Sequence, residues 1–334
     1  MNRSSSANEV EPAEEAQSEG IERDAQPARD ASETEPTAAG HNATTMVDAL
    51  SDLAEQAWKL DLDEEPEVKT IARNANLNSL QGPSIEGEKQ QQNIKWLLFD
   101  CDNTIVLSET LAFMASFDLV NEVLAYKQVD HRYGRDELLV HFMGLSFSAM
   151  CRKMAKQFHF QWTAEDASLF EQREEDEVIK LFHKGLKAVP GILDVLARIV
   201  GEMRYNIAIV SSSSLSRINA ALDATNLRMF FPDKYVFSAK SCLENRTCKP
   251  DPAIYLYALE ELGVKAQDCV CIEDSRAGVM AATRAGIPCI GFLGSFTSHA
   301  MQEQLWTDFH KDGCAAIMWE WNQFFDILST LERV

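Results

Sequence analysis

Lys95-Trp-Leu-Leu-Phe-Asp-Cys-Asp-Asn-Thr-Ile-Val106 is the stretch whose reading decides the fold. Four apolar residues, Trp96 to Phe99, end abruptly in two carboxylates, Asp100 and Asp102, followed by turn-prone Asn103 and then Thr104. Being apolar on both faces, the run predicts a buried strand of a parallel sheet, which helices cover on each side. Residues two apart on an extended chain point the same way, so Asp100 and Asp102 should project together beyond the strand's C-terminal end. Two carboxylates at one point repel, and a cation, a shared proton or solvent must reconcile them. In open α/β sheets that end of the strands is also where ligands bind. Alone, the pair reads equally as a site or as a solvated strand end with two acidic turn residues.

Outward from this stretch, apolar runs predict further strands at Asn206–Val210, Tyr235–Ser238, Cys269–Ile272, Cys289–Leu293 and Ala315–Trp319. Helical segments lie between them, including Leu215–Ala224, Pro252–Leu262 and Gly278–Ala285. Strands alternating with helices mean an α/β fold with a parallel sheet and right-handed crossovers. From Ser108 to about Lys187 the pattern is helical almost throughout, with Gly134, Gly144 and Gly185 as punctuation. No strand-like run interrupts it, so an all-helical lobe is expected to be inserted over the strand ends. The acidic run Glu171–Glu177 within it reads as a solvated helix face. Near the C-terminus, Trp306, Trp319, Trp321, Phe324 and Phe325 read as core packing.

The N-terminal part is different. Residues 1–45 are mostly Ala, Glu, Ser, Thr and Pro, too poor in apolar side chains to offset chain entropy, and are expected to be disordered. Met46 to Leu60 has roughly helical apolar spacing, and such a piece more often packs on its own domain or frays than docks a protein partner, whereas Asn74 to Gln92 reads as a linker. The expected division is therefore a disordered acidic tail and linker over residues 1–92, a core over 93–107 and 188–334, and a helical cap over 108–187.

The 334 residues suffice for one or two domains, and 46% of them are hydrophobic. The formal net charge is −21; residues 1–90 hold 20 of the 52 acidic and 7 of the 31 basic side chains, leaving 32 and 24 for the remainder. That balance argues against nucleic acid or an anionic membrane as the main partner. Any anionic substrate must then be held by local charge, a metal or helix N-termini. Eight cysteines show neither metal-ligand nor disulfide spacing, which points to a reducing compartment. With no bilayer-length apolar stretch and no signal-peptide core, the cytoplasm is the expected location, or else the nucleus.

Three further features fall where strands end. Ser211-Ser-Ser-Ser214 follows the second strand, and hydroxyls and N–H groups at such a turn can hold a phosphate, although one serine would serve as a mere helix cap. Lys249 sits between Cys248 and Pro250-Asp-Pro252, prolines that stiffen its loop and start a helix. Glu273 and Asp274 end another apolar strand in paired carboxylates. Four acidic side chains at two strand ends make an oxygen-rich pocket of the kind Mg²⁺ takes.

These four points, in this order, resemble the haloacid dehalogenase superfamily of phosphohydrolases over about residues 94–295. Asp100-x-Asp102-x-Thr104 is similar to its first motif, Ser211 to its second, Lys249 to its third and Glu273-Asp274 to its fourth. The helical insertion directly after the first motif, with Lys249-Pro-x-Pro and Glu273-Asp-Ser-x-Ala-Gly278, resembles the β-phosphoglucomutase-like branch. The resemblance implies a Rossmann-like core with a helical cap and a Mg²⁺-dependent phosphatase acting on a small phosphorylated metabolite, such as a sugar or polyol phosphate. It further implies that Asp100 attacks phosphorus to form an aspartyl-phosphate and that Asp102 serves as acid and base. Ser211, Ser212 and Lys249 would bind the phosphoryl oxygens. Asp100, the Asp102 carbonyl, Asp274 and, farther out, Glu273 would hold the metal.

Departures from that pattern narrow the choice. Asn103 stands where many relatives have Gly, but Asn also tolerates left-handed backbone. The mutases carry a cap-hinge His where Ala112 stands here, and a basic pair in the cap loop where Met143-Gly-Leu-Ser-Phe147 is uncharged. A mutase must hold a second phosphate, so hydrolysis is favoured over a sugar phosphomutase. Dehalogenases lack the second Asp, so Asp102 argues against that reaction. A non-enzymatic binding protein using the acidic tail is the reading of a different class, and the four-point site argues against it.

Overall fold

The computed structural model describes residues 93–142, 145–245 and 247–333. The expectations for the tail, the linker and Met46–Leu60, and for Met143 and Gly144 of the cap loop, lie outside these. Six strands form one parallel sheet: β1 (Trp96–Phe99), β2 (Asn206–Ser211), β3 (Val236–Ser238), β4 (Cys269–Glu273), β5 (Cys289–Phe292) and β6 (Ala316–Met318). Their order is β3-β2-β1-β4-β5-β6. The chain builds outward from β1 to β3, then returns to place β4 on the other side of β1. That reversal beside β1 is the topological switch point, where a crevice opens at the strands' C-terminal ends. Phe99 is in register with both Ile209 and Ile272, so β1, β2 and β4 end at one level.

Side-chain alternation along these strands divides the core into two layers. Leu97, Phe99, Ile207, Ile209, Val270 and Ile272 face one side, packed against α5 (Ile192–Glu202), α6 (Leu215–Ala224) and α11 (Phe324–Leu331). Helix α5 shows why: Ile192, Val195, Leu196 and Ile199 recur at helical spacing and are all buried. Trp96, Leu98, Ala208, Val210, Cys269 and Cys271 face the other, under α8 (Ala253–Leu262), α9 (Arg276–Arg284) and α10 (His299–Lys311); the short α7 (Ala239–Cys242) follows β3. Trp321 and Phe324 are core residues as expected, but Trp306 and Trp319 are 45% and 40% exposed. Trp306 stacks on His310 at the surface of α10 instead.

Between β1 and α5 lie α1 (Glu109–Tyr126), α2 (Arg135–Phe142), α3 (Phe147–Gln157) and α4 (Ala164–Gly185). They enclose an apolar cluster of their own, including Leu119, Val123, Leu138, Phe142, Met150, Met154 and Phe170. Thr163 and Asp166 form a reciprocal capping box that starts α4. The chain enters and leaves this helical insertion along paired segments. The Leu107 amide donates to the Lys187 carbonyl and the Val189 amide to the Ile105 carbonyl, each at 2.9 Å. From α4, Val178 and Phe182 reach back into the core layer that holds Phe99. Among the described residues no helix is long and apolar enough to cross a membrane.

Candidate active site

All four sequence features meet at the C-terminal ends of β1, β2 and β4. Asp100 follows β1 directly, its amide donating to the Ile272 carbonyl at 3.0 Å. The chain then turns sharply. Asn103 has φ of 56°, the left-handed region that Asn tolerates, and its amide donates to the Val106 carbonyl at 2.7 Å. Its side chain exchanges hydrogen bonds with Glu109, at the start of α1, and the Ser295 hydroxyl donates to its carbonyl.

Lys249 is the hub. Its Nζ donates to Asp100 Oδ1 (2.6 Å), Glu273 Oε1 (2.5 Å) and the Val210 carbonyl (2.7 Å), so all three of its N–H donors have acceptors. The side chain is only 4% exposed. Burial disfavours its charge, yet Asp100 and Glu273 outweigh burial and hold the ammonium above the usual lysine range. Glu273 is fully buried and also accepts from Tyr255 (2.7 Å) and Ser275 (3.3 Å). Its carboxylate occupies the space where a Cβ on Gly278 would stand, 1.8 Å from Oε2. Gly278 is therefore what lets a buried glutamate fold over the start of α9.

The other Asp100 oxygen faces Thr104 and Asp274. The Thr104 hydroxyl lies 3.2 Å from Asp100 Oδ2 and 3.4 Å from Asp274 Oδ1. Burial, resisted by Lys249 and reinforced by Glu273 and Asp102, pushes the Asp100 carboxyl up to about 7. Burial, with Asp100 and Glu273, also drives Asp274 well above the carboxylate range. Ligand oxygens of Asp100, Glu273 and Asp274 lie within 4.8 Å of one another, the only such group of three among the described residues. The donors are hard oxygens, and Lys249 by itself does not balance these three buried carboxylates, so the uncompensated negative charge fits a hard metal ion. Asp100 and Asp274 are the better placed to take it, since Lys249 and Tyr255 already engage Glu273.

The Asp102 carboxylate points elsewhere. It accepts from Ser108 (2.5 Å) and Ser213 (2.6 Å), with Arg217 at 3.7 Å. Burial raises its proton affinity, but Arg217, the two hydroxyls and Lys249 prevail and hold it below the usual aspartate value. The serine run divides its labour. Ser211 is buried, with its hydroxyl accepting from the Ser213 amide at 3.1 Å; Ser212 accepts from the Lys249 amide at 3.4 Å; Ser214 caps α6. The structure thus brings Asp100, Asp102, Ser211, Ser212, Lys249, Glu273 and Asp274 to one place. It separates Asp102's carboxylate from the three-carboxylate group.

Ser213, Arg217 and Tyr255 belong to the site but were not singled out by sequence reasoning. Arg217 carried a signal: it lies in the first turn of α6, where the helix dipole disfavours a cation unless carboxylates face it. Tyr255 follows Lys249 on the proline-started helix α8, and a buried tyrosine hydroxyl needs a partner. The expectation for Glu171–Glu177 needs correcting too. Glu174 and Glu175 are half-buried and face α6 rather than solvent.

A family model described as haloacid dehalogenase-like hydrolase matches residues 97–292. The chain is 25% identical over 204 residues to 6-phosphogluconate phosphatase of Escherichia coli strain K12, covering 60% of this chain and 82% of that protein. It is 30% identical over 204 residues to the plasmid-encoded protein CbbY of Cupriavidus necator, covering 58% of this chain and 76% of the relative. A solved haloacid dehalogenase-like protein from Agrobacterium tumefaciens shares the fold, with a TM-score of 0.55 at 23% identity over 71% of this chain and 99% of that one.

Proposed function

Because the chain belongs to the haloacid dehalogenase-like hydrolase family, we propose that it is a phosphatase of a small phosphorylated metabolite, working through Asp100 as nucleophile. The observation that carries this reading is the placement of Asp100. One oxygen is held by a fully engaged lysine and the other faces a second buried carboxylate across Thr104. A structural ion pair would need only the lysine. The Asp274 carboxylate and the Asp102 group at the rim have no such use unless chemistry happens between them.

Asp100 attacks phosphorus and the bond to the leaving oxygen breaks, giving an aspartyl-phosphate. Asp102, held by Ser108 and Ser213 and ionised in the empty site, takes up a proton as the anionic substrate binds, gives it to the departing alkoxide, then takes one from the water that hydrolyses the acyl-phosphate. The products are an alcohol and inorganic phosphate. Ser211 and Ser212 hold the phosphoryl oxygens, while Lys249, whose three donors go to Asp100, Glu273 and the Val210 carbonyl, stabilises them through its charge and keeps Asp100 oriented. Asp100, Asp274 and the Asp102 carbonyl, with Glu273 behind, would hold a divalent cation, Mg²⁺ in this reading, which would supply the positive charge that lets two anions approach. Residues 108–187 act as a cap over this site, closing it to bulk water, with residues 93–107 and 188–334 as the core. Relatedness to a 6-phosphogluconate phosphatase supports a sugar or polyol phosphate as substrate.

The test is p-nitrophenyl phosphate hydrolysis with Mg²⁺ by Asp100→Asn, followed by phosphate release over a panel of sugar and polyol phosphates with the wild type. The variant is expected to fold and to be inactive. Retained turnover overturns the mechanism.

A further inference from the structure

The acidic run of α4 forms the seam between the helical insertion and the core. Glu175 accepts hydrogen bonds from the Ser214 hydroxyl, at 2.7 Å, and from Ser216, the N-cap and the first turn of α6. One residue earlier, Glu174 lies 3.8 Å from Arg217 with its side chain 12% exposed. Arg217 in turn lies 3.7 Å from Asp102 Oδ1, and its Cζ is 5.6 Å from the centroid of the Phe182 ring.

These separations are informative. A guanidinium carries five donors on a rigid fork and normally closes on a carboxylate at 2.7–2.9 Å, often through two bonds. Here it stands between two carboxylates and closes on neither, and its buried Nε has no hydrogen-bond partner. One fork is being shared by an insertion residue and a core residue. Asp102 meanwhile keeps its short bonds to Ser108 and Ser213.

We propose that Glu174 and Arg217 are positioning residues that tie the seating of α4 to the geometry of Asp102. With α4 seated, Glu174 draws the guanidinium away, and Asp102 stays with its two serines. Without the Glu174 charge, Arg217 closes on Asp102 as a direct salt bridge and pulls the carboxylate out of register with the leaving oxygen. This rests on the reading of Asp102 as the proton donor and acceptor of the proposed phosphatase.

The test is a double-mutant cycle on the full chain, with p-nitrophenyl phosphate and Mg²⁺. Glu174→Gln is expected to lower kcat about 10-fold with KM changed by less than about 3-fold, since an ångström of misplacement costs up to about 100-fold. In an Arg217→Met background the same substitution should change kcat by less than about 2-fold, because the group that would invade Asp102 is gone. A loosened insertion alone would raise KM and act alike in both backgrounds. Equal effects in both backgrounds, or wild-type kcat for Glu174→Gln, overturn the proposal. If Arg217→Met does not fold, Arg217→Gln takes its place in the cycle. Asp100→Asn in the same assay separates the two levels. If it retains turnover, the phosphatase reading falls and this one with it; if it is inactive while the cycle shows no coupling, only the positioning role falls.

Discussion

Replacing Gly278 by alanine should destabilise this protein, although the same change in most helices stabilises. Gly278 is the third residue of α9, behind the Ser275 cap, whose hydroxyl accepts from its amide at 3.0 Å. By propensity alone alanine gains about 1 kcal/mol at a helical position. Here its Cβ would stand 1.8 Å from Glu273 Oε2, 1.9 Å from Cδ and 2.2 Å from Oε1. Relief even to a tight 3.0 Å contact needs the carboxylate to move by about 1.2 Å. A glutamate tip on the surface would swing aside at little cost. Glu273 is fully buried, and such a shift breaks its 2.5 Å bond from Lys249 and its 2.7 Å bond from Tyr255. Breaking a buried pair costs about 3–5 kcal/mol, so the net loss is about 2–4 kcal/mol after the helical gain. Urea unfolding followed by circular dichroism should show a lower midpoint at unchanged slope. Because Lys249 loses an anchor, kcat should fall with it. A midpoint equal to or higher than that of the wild type would refute the account of how Glu273 is held.

Lys249→Met should cost more, about 3–5 kcal/mol in the same assay and nearly all turnover, because Asp100 and Glu273 are left buried without their cation. Ser213→Ala removes the 2.6 Å bond to Asp102 and should lower kcat about 10-fold while costing no more than about 3 kcal/mol of stability, which steady-state kinetics and thermal melting will separate. In metal-free buffer, stability should fall as pH rises. The folded Asp100 carboxyl keeps its proton up to about 7 whereas an unfolded one releases it near 3.8, so each step between those values favours the unfolded chain, with on the order of 4 kcal/mol as a ceiling. Asp102, shifted the opposite way, matters only at more acid pH. Melting temperature should therefore drop from pH 5 to pH 7.5 in EDTA, and Mg²⁺ should remove most of that slope. A flat profile in EDTA would contradict the reading of the Asp100–Asp274 pair as a site of unbalanced charge.

Much of this molecule was legible in one dimension because its signals are local. An apolar run ending in Asp100 and Asp102 specifies a buried strand and what stands at its end, and the strand-helix alternation specifies a parallel sheet whose C-terminal ends collect ligands. Asn103 and the prolines after Lys249 each mark a backbone need that few residue types meet, and Gly278 marks a place with no room for a Cβ. That Asp100, Ser211 and Glu273-Asp274 belong together follows from their common place at strand ends, and Lys249 joins them from the proline-stiffened loop before α8. The sharing of contacts among them depends on distances that spacing does not encode. Only the packed structure decides that Lys249 spends its protons on Asp100, Glu273 and a carbonyl, and that Asp102 turns toward Ser108 and Ser213. The run Glu171–Glu177 makes the same point. A charged helical stretch looks solvated in sequence, because the pattern cannot say that α6 will present two serines and an arginine to it. Residue types and their order determined the fold and the chemistry available at β1, β2 and β4. Tertiary packing decided which charges pair, because pairing energy depends on separation and burial, and both are set only when the elements meet.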